Sequence, residues 1–157
     1  MNRTLLLVST VGAGVNAGVF FAFSTFVMRG LVNLPAAQGA AAMQSMNRAA
    51  PSSLFMLTLF GTAVTGVVVG VGGLRDLGAP GSTYAVVGAG LCLVPIVLTA
   101  VYHVPYNNQL EALDAAAAGT AEFWKTYASR WTAFNHLRVL GALGAAAAFA
   151  LAYRSGK

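Results

Sequence analysis

Between Arg3 and Arg29 the chain reads TLLLVSTVGAGVNAGVFFAFSTFVM (residues 4–28), 25 residues without a charge. A helix needs ~20 apolar residues to cross a ~30 Å hydrocarbon core, so this stretch is long enough for a membrane span. The pattern recurs twice. Arg48 and Arg75 enclose 26 uncharged residues (49–74), and 26 more (77–102) separate Asp76 from His103. A cleavable signal peptide is the rival reading of the first stretch. Its apolar run is too long and lacks a small-residue cleavage site, so it reads as a retained helix.

The fourth segment differs. Only 15 residues (139–153) lie between Arg138 and Arg154, about 22 Å of helix at 1.5 Å per residue. To cross, this helix must recruit Trp131 to Leu137, which draws Asn135, His136 and Arg138 toward the membrane. Arg154 can snorkel outward. A guanidinium at Arg138's depth costs roughly 2.5–3.5 kcal/mol on insertion scales, so it is expected to face an inner cavity or a partner.

Composition agrees with this reading. Of 157 residues, 8% are charged and 57% apolar, and mean hydropathy is +0.71. The net charge of +5 comes from nine scattered cations, with no cluster to follow a phosphate backbone, so nucleic acid is not an expected partner. One cysteine, Cys92, excludes an intrachain disulfide or a cysteine-cage metal site. The expected fold is all-α: one domain (1–157), an integral membrane four-helix bundle with spans at about 4–28, 52–74, 83–104 and 131–153. A short amphipathic helix over 36–48 is expected in the first long loop, with Asn33-Leu-Pro35 as its start signal. The chain reads as a multi-pass protein of a bacterial cytoplasmic membrane.

Four spans place both termini on one face, with Arg3, Arg75, Arg154 and Lys157. Arg29, Arg48, Lys125 and Arg130 stand on the other. Four against four leaves the orientation open. The two long polar loops, 29–51 and 103–130, share the face opposite the termini, where a site is expected. Gly14-xxx-Gly18 and Gly66-xxx-Gly70 suit close helix packing first and homo-oligomer contacts second.

Three constellations could carry chemistry. Trp124, Tyr127, Trp131, Asn135 and Arg138 are spaced 3, 4, 4 and 3, with Phe134 beside them, in a sector of about 100° on one helix. That face presents π surfaces leading to an amide and a cation, suited to a planar aromatic ligand with an oxygen that becomes anionic. Its plain alternative is an interfacial aromatic belt. His136 lies about 100° from Asn135, on the face of Lys125, Ser129 and Thr132, as a base or as a headgroup contact. The second constellation is His103-Val-Pro-Tyr-Asn-Asn108. Pro105 is expected to end or kink the helix and free a carbonyl near Val101, which Asn107 and Asn108 could satisfy unless they orient a ligand carbonyl. The third is the stripe Ser9, Asn16, Phe20 and Ser24 in the first helix, with Thr58, Thr62 and Thr65 on the second. Gln44 and Asn47 share one face of the short loop helix. A metal ion or haem at His103 and His136, with Glu111 or Asp114, is a weaker alternative, since no HxxxH or Glu-xx-His spacing supports it.

Three stretches, Asn16-Ala-Gly-Val-Phe-Phe-Ala-Phe-Ser24, Met43-Gln-Ser-Met-Asn47 and Val104-Pro-Tyr-Asn-Asn-Gln-Leu110, precede Trp124-xx-Tyr127-xxx-Trp131-Thr-Ala-Phe-Asn-His-Leu-Arg138. Together they resemble the anthrone oxygenase-like family of small four-helix membrane proteins. Phe134 and Val139 depart from its usual pattern. The resemblance implies oxidation of an anthrone, or a similar planar polyketide-type substrate, to a quinone with O₂ and no cofactor. It implies that Trp124, Tyr127, Trp131 and Phe134 stack the substrate, with Asn16, Gln44, Asn47 and Asn108 around it. Arg138 with Asn135 or Asn107 would hold the oxyanion, His136 or His103 would be the base, and the substrate would enter laterally from the lipid. A metal- or haem-dependent oxidoreductase, and a non-enzymatic accessory protein or small-molecule carrier, are the other readings.

Overall fold

The computed structural model describes residues 2–117 and 119–156, so Met1, Ala118 and Lys157 lie outside the described residues. Every regular element among these is helical. The helices are α1 (Arg3–Val32), α2 (Ala36–Ala49), α3 (Leu54–Arg75), α4 (Ser82–Glu111) and α5 (Thr120–Ser155). All except α2 are long and apolar enough to cross a membrane, and the chain is an all-α membrane four-helix bundle. Helix α5 packs along α1 and α4, and α3 closes the bundle against both of them. At the end carrying the termini, the Arg3 guanidinium donates to the Gly156 carbonyl and lies over the Tyr153 ring.

The core has three levels. Leu6, Val69, Cys92 and Phe149 pack nearest the termini, and Ala17, Phe20, Leu59 and Val139 fill the middle. At the loop end Met28, Leu31, Met43, Leu110, Trp124, Tyr127 and Trp131 pack together. Gly88 makes the lowest level possible, because a Cβ there would stand 2.7 Å from the Phe149 ring. Leu54, Leu57, Val64, Val101 and Leu140 face outward, as lipid-facing side chains must. The two glycine pairs separate. Gly66 and Gly70 pack against Cys92, Phe149 and Ala89, whereas nothing touches the positions of Gly14 and Gly18.

Helix boundaries depart from the sequence expectations where proline and asparagine were given strong roles. Asn33 ends α1 rather than capping α2, whose preceding residue is Pro35. Pro105 does not end α4. A π-helical turn, Thr99–His103, absorbs it, with Val104 N–H donating to the Thr99 carbonyl, and the helix runs on to Glu111. A second π turn, Phe23–Val27, lies within α1. Helix α5 is 36 residues long, about 54 Å, so the expected polar loop over 103–130 contracts to 112–119. There the Asp114 carboxylate accepts from Ala116 N–H, and its carbonyl accepts from the Thr120 hydroxyl.

Helix α2 lies across the loop end of the bundle, burying Gly39, Ala40, Met43 and Gln44. The Gln44 amide donates to the carbonyls of Leu110 and Leu113, both at 2.9 Å, and Arg48 forms an ion pair with Glu111. Gly39 allows the close approach, since a Cβ there would stand 2.6 Å from the Leu31 carbonyl.

Candidate functional site

Beneath α2, the loop end of the bundle encloses a cavity of about 360 Å³, within the range of small-molecule sites. Its walls are mostly apolar: Val19, Phe20, Phe23, Met43, Met46, Phe55, Met56 and Trp131. Its polar groups are Arg138, His103, Asn47, Asn107, Thr99 and Ser53. Between Arg138 and Arg154 there is ~24 Å of helix, less than the ~30 Å thickness of a hydrocarbon core, so the cavity lies within the depth of a membrane.

Arg138 is 5% exposed. Its Nε and Nη2 donate to Asn135 Oδ1 at 3.0 and 2.7 Å, and Nη1 donates to Thr99 Oγ1 at 3.2 Å. Its guanidinium carbon lies 4.6 Å from the Phe20 ring centre and 5.0 Å from that of Trp131. Among the described residues no carboxylate pairs with it. Asn135 is held in turn, donating from Nδ2 to the Phe20 carbonyl at 2.7 Å and to Ser24 Oγ at 2.6 Å.

His103 is 1% exposed, and its Nδ1 lies 3.0 Å from the Leu98 carbonyl. A carbonyl only accepts, so Nδ1 carries the proton and, in the neutral ring, Nε2 carries the lone pair. Nε2 is buried and has no hydrogen-bond partner among the described residues, although the Trp131 backbone lies close to the ring. Asn135 and His103 each meet a backbone carbonyl that lies just before a π turn. The Phe20 carbonyl meets Asn135 and the Leu98 carbonyl meets His103. Asn107, expected to meet a carbonyl freed near Val101, instead accepts from two side chains of α5.

Asn107 Oδ1 accepts from the Tyr127 hydroxyl at 2.7 Å and from Trp131 Nε1 at 3.0 Å. Asn47 lies beside the Tyr127 hydroxyl, and its buried Nδ2 lacks a well-formed hydrogen bond. A buried unpaired donor and a buried unpaired lone pair in one cavity wall are uncommon in a native interior, and a ligand would satisfy both.

The aromatic stripe of α5 is buried as a face, but it serves two purposes. Trp131 and Arg138 line the cavity. Trp124 and Tyr127 lie above it, 2% and 0% exposed, packed in the core beneath α2. Phe134 turns away and stacks on Tyr102 with ring centres 3.7 Å apart. Gln44 holds α2 to α4, and Asn108 lies in a shallow cleft outside, with Arg48 and Glu111. Asn16 is buried in α1 with Oδ1 unbonded, away from the lining. His136 is exposed and lines a different cavity from His103, so the two imidazoles do not converge. Among the described residues no three histidine, cysteine or acidic side chains gather as a metal site would require.

Sequence reasoning missed Thr99 as an arginine partner and the apolar wall from Phe55 and Met56. No signal separates an inward from an outward residue near a π turn, since the turn shifts the register that spacing assumes.

The fold and site define a class of protein: an all-α membrane four-helix bundle with a mostly apolar cavity that holds a buried guanidinium and an imidazole. The family model described as anthrone oxygenase matches residues 54–148, more than half of the chain, and the chain belongs to that family. No curated protein and no solved structure matches it.

Proposed function

We propose that this cavity oxidises an anthrone, or a similar planar aromatic substrate of polyketide type, with O₂ and without a bound cofactor. The observation that carries the reading is the coexistence, in one apolar cavity, of a guanidinium with no carboxylate and an imidazole whose Nε2 is unbonded. His103 Nε2 takes a proton from the substrate methylene, and the negative charge moves to the ring oxygen. Arg138, oriented by Asn135 and Thr99, stabilises that oxyanion in a setting of low dielectric. The enolate passes one electron to O₂, the resulting radical and superoxide combine at the former methylene carbon as a peroxide, and His103 returns its proton to give the hydroperoxide. Loss of water leaves the quinone, so substrate and one O₂ give quinone and one H₂O. Phe20, Phe23 and Trp131 supply flat surfaces for the ring system, and Asn47 supplies a donor for a second oxygen.

The unbonded Nε2 favours His103 over His136 as the base. Entry from the membrane is consistent with the lining by Ala50, Pro51, Ser53 and the exposed Val104, where α3 begins beside α4. The test is oxygen uptake by the detergent-purified protein over a panel of anthrones, with autoxidation subtracted. Uptake that survives a chelator and falls at least a hundredfold in His103→Gln supports the reading. Uptake unchanged by that substitution overturns it. A metal or haem requirement would instead appear as loss with chelator or as a Soret band.

A further inference from the structure

A second cavity, of about 740 Å³, lies on the outer flank between the loop-side end of α1 and α5. Its lining combines three basic side chains, Arg29, Lys125 and His136, with the hydroxyls of Ser24, Thr25, Ser129 and Thr132, and no carboxylate takes part. Among the described residues neither Arg29 nor Lys125 forms an ion pair. Met28, Val32, Leu34 and Ala133 add apolar surface to the same groove.

The groove has a direction. Lys125 and His136 are eleven residues apart on α5, about 16 Å along the helix. Lys125 stands ~44 Å from Arg154 along α5, close to the ~40–45 Å that separates the two outer faces of a bilayer with its headgroups. Lys125 and Arg29 therefore lie at headgroup depth, and the hydroxyls and His136 lie progressively deeper.

We infer that this groove binds one anionic phospholipid, with its phosphate between Arg29 and Lys125, its glycerol and ester groups along Ser129 and Thr132, and an acyl chain against the apolar strip. A basic groove between spanning helices at headgroup level is matched in charge and in polarity gradient by such a lipid. A free anion would leave the deeper hydroxyl and apolar strip unused. The inference does not rest on the oxygenase reading. Its wall nonetheless reaches the first cavity, because Ser24, which lines the groove, accepts from the Asn135 amide that orients Arg138.

The test is native mass spectrometry of the protein in neutral detergent with equimolar phosphatidylglycerol and phosphatidylcholine. The protein is expected to retain phosphatidylglycerol at least fivefold over phosphatidylcholine. Arg29→Gln with Lys125→Gln should bring that ratio within twofold, while the charge-matched pair Arg75→Gln with Arg154→Gln keeps it. Ser129→Leu, which fills the groove without changing charge, should also lower it, and circular dichroism checks that each variant is folded. Equal retention of both lipids, equal loss in both charge pairs, or displacement by equimolar inorganic phosphate would each overturn the inference.

Discussion

Replacing Arg138 with methionine distinguishes a guanidinium kept for chemistry from one kept for structure. Burying this charge in the membrane costs about 2.5–3.5 kcal/mol, which methionine removes. Against that gain, Asn135 Oδ1 loses both of its arginine donors, a penalty of about 1–3 kcal/mol for an unpaired buried acceptor. The contacts over Phe20 and Trp131 are worth ~2 kcal/mol each when desolvated, and a thioether recovers ~0.3–1.5 kcal/mol of aromatic contact. These terms leave a net loss of at most about 4 kcal/mol, which corresponds to a Tm lower by no more than about 16 °C. Removing an oxyanion donor, by contrast, lowers kcat by about 10²–10³. Oxygen uptake and thermal unfolding of the same detergent preparation read both quantities. Unfolding more than about 20 °C lower, or kcat retained within threefold, would refute the assignment of Arg138 to oxyanion stabilisation.

Other substitutions probe the supporting structure. Asn135→Ala frees Arg138 from its main anchor while leaving the charge, so kcat should fall at least tenfold with KM changed less than kcat, as steady-state oxygen uptake would read. Asn107→Leu strands the buried Tyr127 hydroxyl and Trp131 N–H, at about 2–6 kcal/mol together, seen as a Tm lower by roughly 4–24 °C. Gly39→Ala drives a methyl group toward the Leu31 carbonyl, and α2 should lift, exposing its connection to limited proteolysis. Glu111→Gln releases Arg48 at less than about 1 kcal/mol, so Tm should hold while substrate KM changes, if α2 controls access.

The bundle was legible because membrane spans are set by the absence of charge over a fixed length, which needs no knowledge of packing. The same reasoning flagged Arg138, since the fourth apolar run was too short without it. Asn135 and Arg138 lie three apart on one helix face, and the structure places them in contact. Beyond that, spacing was insufficient. Trp124 and Tyr127 share the face of Trp131, but α2 lies over them, and a connecting helix's path across a bundle leaves no periodic mark. Phe134 sits near the same sector yet finds Tyr102, because rotamer and neighbouring helix decide which side of a boundary residue is covered. Pro105 signals an end or a kink; the helix does not end there, and a π turn accommodates the proline at the level of the cavity.

Those two π turns make the cavity sensitive to the length of the chain as well as to its side chains. Each holds one residue more than an α-helical turn would, and the chain beyond each is turned by about 100° from where an uninterrupted helix would put it. Deleting a single residue between Thr99 and His103 would leave α4 helical and apolar, so membrane insertion would tolerate it. Asn107 would rotate away from Tyr127 and Trp131. A one-residue gap there would dismantle the site while leaving the bundle standing, so the spacing of α4 is as much a part of this cavity as the imidazole it carries.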